Sequence, residues 1–189
     1  MEKTVMEAKH LTTAELNAGL AHILASPSDV GVLQMIARRP AIGERELLEE
    51  AELSLAEGLV GDNWSTRGDQ VTPKRTANPK AQLTLMNARA ADLVACTQER
   101  WPLAGDQLYV DFDLSLDNLP AGTRLSIGSA IIEVTDEPHT GCKKFVERFG
   151  MNAMEFVNSP EGKQNCLRGI NTRVVQAGTI RVNDPITKG

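Results

Sequence analysis

Residues Arg124-Leu125-Ser126-Ile127-Gly128-Ser129-Ala130-Ile131-Ile132-Glu133-Val134-Thr135 read as two short apolar strands folded back on each other at Gly128. Apolar and β-branched residues on either side of a glycine turn are the signature of a hairpin. The turn Pro120-Ala121-Gly122-Thr123 precedes it. Downstream, Leu167 to Asn171, Thr172 to Gln176 and Thr179 to Val182 read as further strands, with Gly178 turning between the last two. Upstream, Leu108 to Phe112, Gln82 to Met86 and Val30 to Arg38 carry the same pattern, the last stopping at Arg39-Pro40.

Helices are few and sit between these strands. Thr12 and Glu15 have capping-box spacing, and Leu16, Leu20 and Leu24 then predict an amphipathic helix from Thr13 to Ala25. Asn87 can cap a second helix through Thr97, with Cys96 on its apolar side. Lys143 to Phe149, closed by Gly150, and Asn152 to Val157 predict two short ones. Glu44 to Leu53 fits either a helix or an extended segment, and Gly58 to Trp64 a loop or bulge. Residues 67–80 lack an apolar face and read as a long flexible loop. Short strands without a repeating strand–helix–strand alternation favour a mainly β fold with α (α+β). The expected form is a closed β-barrel with short peripheral helices, rather than a doubly wound sheet. Residues 1–28 would form an N-terminal helical extension and 29–189 the barrel domain.

The net charge of −5 argues against nucleic acid as a partner. No apolar run approaches the length needed to span a bilayer, and Met1 to His10 lack the apolar stretch of a secretory signal. A cytoplasmic protein is expected. Three cysteines, Cys96, Cys142 and Cys166, are odd in number and unpaired in spacing, as suits a reducing compartment. Residues 1–122 carry a net −7 and residues 123–189 a net +2, so an anionic ligand is better tolerated in the C-terminal third.

The stretch richest in chemistry is Glu137-Pro138-His139-Thr140-Gly141-Cys142-Lys143-Lys144-Phe145. Thr140 can cap a helix whose first turn would hold Cys142. The helix dipole and the lysines would both favour a thiolate, able to attack electrophilic sulfur or bind a soft metal. Free amides at such a helix start could also hold an oxyanion. The competing reading makes Cys142 a small buried hydrophobe. Cys96, on an apolar helix face, reads as structural, and Cys166 has no evident role. Zinc would need a fourth ligand beyond His139, Cys142 and Cys166. Asp106, Asp111 and Asp113 read as solvated strand-edge charges rather than a calcium loop.

Several stations in fixed order resemble the MOSC family, the domain found at the C-terminus of molybdenum cofactor sulfurases and in stand-alone bacterial proteins. They are Val32 to Arg39-Pro40, Gly58-Leu59-Val60-Gly61-Asp62, Gln82 to Leu85, Leu103 to Leu108, Leu119 to Thr123, His139-Thr140-Gly141-Cys142 and Arg168-Gly169-Ile170. The resemblance runs from about Gly31 to Asp184 and implies a barrel of the pyruvate kinase β-barrel type. It implies that Cys142 is the catalytic residue, as a persulfide carrier or as a ligand to molybdenum in the pterin-based molybdenum cofactor. Candidate partners for that cofactor are Arg38, Arg39, Arg67, His139, Thr140, Gly141, Lys143, Arg168 and Asn171, with Arg38 and Arg168 favoured by their places at strand ends. No pyridoxal-phosphate desulfurase domain is expected in this chain. A separate cysteine desulfurase would then donate sulfur, or a reductase would donate electrons. The implied activity is sulfur transfer or the reduction of N-hydroxylated substrates. The alternative is a non-catalytic module that binds or senses a cofactor or anion.

Overall fold

A computed structural model describes residues 9–67 and 76–189. Helix α1 (Thr13–Leu24) opens on the expected capping box, with Thr12 Oγ1 accepting from the Glu15 amide and the Glu15 carboxylate accepting from the Thr12 amide. Strand β1 (Val30–Arg38) follows, then β2 (Glu46–Leu48), β3 (Glu50–Ser54) and β4 (Gly58–Leu59), so the acidic 44–53 stretch is extended. Next come the one-turn helix α2 (Trp64–Arg67), a 3-10 turn (Pro79–Ala81), β5 (Leu83–Asn87), α3 (Ala88–Ala95) and a second 3-10 segment (Gln98–Ala104). Strands β6 (Leu108–Asp111), β7 (Arg124–Ile127) and β8 (Ala130–Val134) precede helices α4 (Lys143–Phe149), α5 (Met151–Asn158) and α6 (Pro160–Gln164). The described chain ends with β9 (Ile170–Gln176), β10 (Gly178–Arg181) and β11 (Pro185–Lys188).

Seven strands close a barrel in the order β1-β11-β7-β8-β9-β5-β6, with β6 pairing back onto β1. The β7–β8 hairpin pairs Arg124 with Glu133 and Ile127 with Ala130, as the sequence predicts. Only β5 and β6 run parallel within the ring, and α3 with the 3-10 segment after it makes their crossover. Strand β2 extends β1 at the rim, and β10-β3-β4 form a small second sheet.

Two apolar clusters explain the burial patterns. Leu33, Ile36, Leu83, Leu85, Leu108 and Val110 fill the barrel. Met35, Ala37, Met86 and Tyr109, from the same three strands, face a second cluster built with Leu16, Ala91, Phe145 and Phe156. β1, β5 and β6 are thus buried on both faces, which is why they read as near-continuous apolar runs. A register shift between Leu33 and Met35 lets Leu33 and Ile36 both point inward. Helix α1 contributes Leu16 and Ile23 to the outer cluster and packs on α3 and α5.

Four expectations need revision. The strand expected at Leu167 begins only at Ile170, because Gly169 turns the chain at φ +113°, with Leu85 O only 2.3 Å from where a Cβ would stand. The helix after Asn87 stops at Ala95, and Cys96 is not on its buried face: it is exposed in a left-handed cap at φ 65°. Helix α6 and strand β11 escape the sequence reading; α6 is a single short turn capped by Ser159, and Pro185 opens β11 at a position where no strand amide is required. Of the loop expected over 67–80, residues 68–75 lie outside the described residues, while 79–81 form the turn capped by Asn78.

Candidate functional site

The segment 137–142 runs from the end of β8 to α4, held by side-chain hydrogen bonds from Asn171 and Asn158, with His139 beside Asp106 between them. Asn171, buried on β9, donates its Nδ2 to the carbonyls of Glu137 and Pro138 at 3.1 and 3.2 Å. His139 Nδ1 stands 3.5 Å from Asp106 Oδ1. Asn158, at the end of α5, accepts from the Gly141 amide at 2.9 Å and donates to the Gly141 carbonyl at 3.3 Å. A Cβ on Gly141 would stand 3.2–3.3 Å from Met154, Asn158 and Val157, so glycine allows this close approach to α5.

Behind the segment lies a pocket of about 550 Å³. Leu119, Val134, Val157 and Ile170 form its apolar wall, while His139, Thr140, Lys163, Cys166, Arg168 and Asn171 bring polar atoms to it. Asp106 anchors this polar side from beneath. Its carboxylate is fully buried, with Oδ2 accepting from Arg168 Nη1 at 2.6 Å, and Arg168 Nη2 donates to the Ala104 carbonyl at 2.8 Å. The Arg168 guanidinium also lies over the Phe145 ring, 5.2 Å from its centroid, which ties the turn before β9 to the helix that follows Cys142. Asp106 Oδ1, His139 Nδ1 and Arg168 Nε are buried without a hydrogen-bond partner, three orphan atoms in one cluster. Burial, reinforced by Arg168, pushes the His139 imidazolium down to about 3, so the ring is neutral. Burial pushes the Cys166 thiol up to about 11, so it remains protonated.

Cys142 itself is exposed and free. It is the N-cap of α4, with its carbonyl accepting from the Phe145 and Val146 amides and no capping bond from its side chain. The cap expected at Thr140 therefore falls two residues later, because Asn158 holds Gly141 extended against α5 and the helix cannot start before it. Lys143 and Lys144 follow Cys142 on the exposed face. Of the nine residues proposed around Cys142, His139, Thr140, Arg168 and Asn171 line the pocket. Gly141 and Lys143 connect it to Cys142 and its helix.

The others lie apart. Arg38 pairs with Glu46 at 2.6 Å and lines a separate cleft of about 250 Å³ with Leu48, Glu50 and Val60. Arg39, 4% exposed, is engaged by both carboxylate oxygens of Asp62 and by the Gly105 carbonyl. Arg67 closes α2. Asp106 is the residue that sequence reasoning missed: it is buried rather than solvated, and its place after Gly105 offers no periodic signal that it points inward. Asp111 likewise pairs with Arg89 at 2.8 Å, and Asp113 caps the Ser115 amide. Cys166 gains a location, on the pocket wall, that its sequence neighbours do not reveal.

A closed seven-stranded barrel carrying this segment is the arrangement of a known class. The model of the MOSC domain matches residues 45–187, and the chain belongs to that family. Among solved structures it is similar to the YuaD protein from Bacillus subtilis, with a TM-score of 0.61 at 14% identity over 83% of this chain and 94% of that one. It is also similar to YiiM from Escherichia coli, with a TM-score of 0.54 at 17% identity over 84% of this chain and 69% of that one. At these identities the likeness is one of fold. No curated protein matches the chain significantly. Among the described residues, no helix is long and apolar enough to cross a membrane.

Proposed function

We propose that Cys142 is the reacting group of this MOSC protein, serving as a thiolate ligand to the molybdenum of a pterin cofactor in a reductase. One observation carries the reading: an exposed, free thiol ends a segment fixed by Asn171 and Asn158, and the inner part of that segment lines a pocket. A rigidly held soft ligand open to solvent is what a molybdenum centre requires from its protein. The donor set fits the group on this outer face. Cys142 would bind the metal, and Lys143 and Lys144 would face the cofactor phosphate as point charges. Bound there, the cofactor would supply two-electron redox chemistry.

The chain's own residues do the rest. Asn158 and Asn171 hold the backbone that presents the thiol, and the pocket behind it receives the molecule acted upon. Arg168 is paired with Asp106 and stiffens the site rather than binding an anion, while Arg39, paired with Asp62, stands outside it. The exposure of Cys142 also favours a second reading, a persulfide carrier open to a separate desulfurase.

The test is metal and pterin analysis of wild type and Cys142→Ser purified from a host that makes the cofactor. Wild type should carry molybdenum and pterin, and the variant should lose the metal. Molybdenum-free wild type carrying one extra sulfur on Cys142 by mass spectrometry would instead support the carrier. Neither metal nor sulfur on Cys142 would refute both.

A further inference from the structure

We propose that the pocket behind Cys142 binds an uncharged molecule with an apolar body and an O–H or N–H donor, with His139 Nε2 as the acceptor and Asp106 as the positioning residue that fixes the histidine's tautomer. This deepens the reading of the pocket as the substrate site but does not depend on any chemistry at Cys142.

The class of ligand follows from the lining. A volume of about 550 Å³ is in the range of small-molecule sites. One wall, with Leu116, Leu119, Val134, Val157 and Ile170, offers only apolar contact. The charges at the pocket are matched in sign. Arg168 is spent on Asp106, Asp136 is paired with Lys80 at 2.8 Å, and the remaining Lys163 and Glu137 are opposite. Lys163 and Glu137 leave the pocket with no net charge, so neither sign of ligand is favoured, and a neutral body, which loses little hydration against the apolar wall, fits best.

The donor requirement follows from the histidine. Asp106 is fully buried and accepts through Oδ2 from the Arg168 guanidinium, which leaves Oδ1 facing the histidine. The atom facing that oxygen at 3.5 Å is His139 Nδ1, which must carry the ring's proton to avoid opposing lone pairs. The neutral ring then has its lone pair on Nε2. Nδ1 and Oδ1 are both buried and unpartnered at this separation, so a ligand that draws on Nε2 makes Nδ1–H more acidic and favours closing the hydrogen bond to Asp106 that the pair otherwise lacks. Binding and closure of the pair thus reinforce each other.

The experiment uses the full chain with 15N-labelled histidine, without cofactor, so a failure of the Cys142 reading leaves it intact. The nitrogen spectrum of His139, one of three histidines, should show a neutral ring protonated on Nδ1. Titration with phenol should shift the His139 Nε2 resonance saturably. Anisole, lacking the donor, and benzoate, bearing the charge, should bind at least tenfold more weakly. Asp106→Asn should mix the tautomers and weaken phenol binding several-fold, and His139→Gln should do the same to binding without touching the buried ion pair. A wild-type ring protonated on Nε2, equal responses to phenol and anisole, tighter binding of benzoate, or no phenol response at all would each overturn the proposal.

Discussion

Asp106 Oδ2 lies 2.6 Å from Arg168 Nη1 with both side chains buried, and this ion pair is the floor on which the pocket's polar side rests. Removing one partner strands the other charge in the interior. Asp106→Ala should therefore lower stability by about 3–5 kcal/mol in urea melts, and Asp106→Asn by less, since an amide still bonds Arg168. A loss below about 1 kcal/mol for Asp106→Ala would mean the pair is not buried as described.

His139 makes stability depend on pH in a definite direction. The unfolded ring takes up a proton below its ordinary value of 6.5, while the folded ring stays neutral down to about 3. Its contribution is complete above pH 6.5 and is lost as pH falls through that window, at up to ~1.4 kcal/mol per pH unit. Wild type should lose stability between pH 6.5 and 5, and His139→Gln should flatten that limb in denaturant titrations at fixed pH.

The three thiols should separate by environment. Cys96 and Cys142 are exposed, whereas Cys166 is half-buried with its thiol pushed up to about 11. Alkylation at neutral pH followed by mass spectrometry should therefore label Cys166 last. Equal rates for all three would contradict the pocket wall.

Cys96 occupies a left-handed cap that any side chain strains and glycine does not. Cys96→Gly should raise stability by about 1 kcal/mol. The sequence, by placing Cys96 on an apolar helix face, suggests the opposite sign for polar replacements there. Cys142→Ser should leave the melting temperature unchanged or slightly higher, because a serine hydroxyl at the N-cap can accept from the helix amides that the thiol leaves unbonded.

What could be read in the sequence was what repeats along it. The β7–β8 hairpin, the capping box of α1, the bounds of β1 and the helix from Lys143 to Phe149 all follow from local period and turn chemistry. Ring closure through β11, a four-residue strand opening on Pro185, depends on partners more than 150 residues away in β1 and has no local signature. The site divides in the same way. His139 to Cys142 stood out by composition, but Asp106 and Cys166 join it only through the fold. Arg38 and Arg39, attractive as cations at a strand end, are taken up by Glu46 and Asp62.

Most direct for the central claim is X-ray absorption at the molybdenum edge of protein loaded with cofactor in the cell. Wild type should show one more sulfur bound to the metal than Cys142→Ser with molybdenum restored by excess cofactor. Identical sulfur coordination in the two proteins would contradict Cys142 as the ligand.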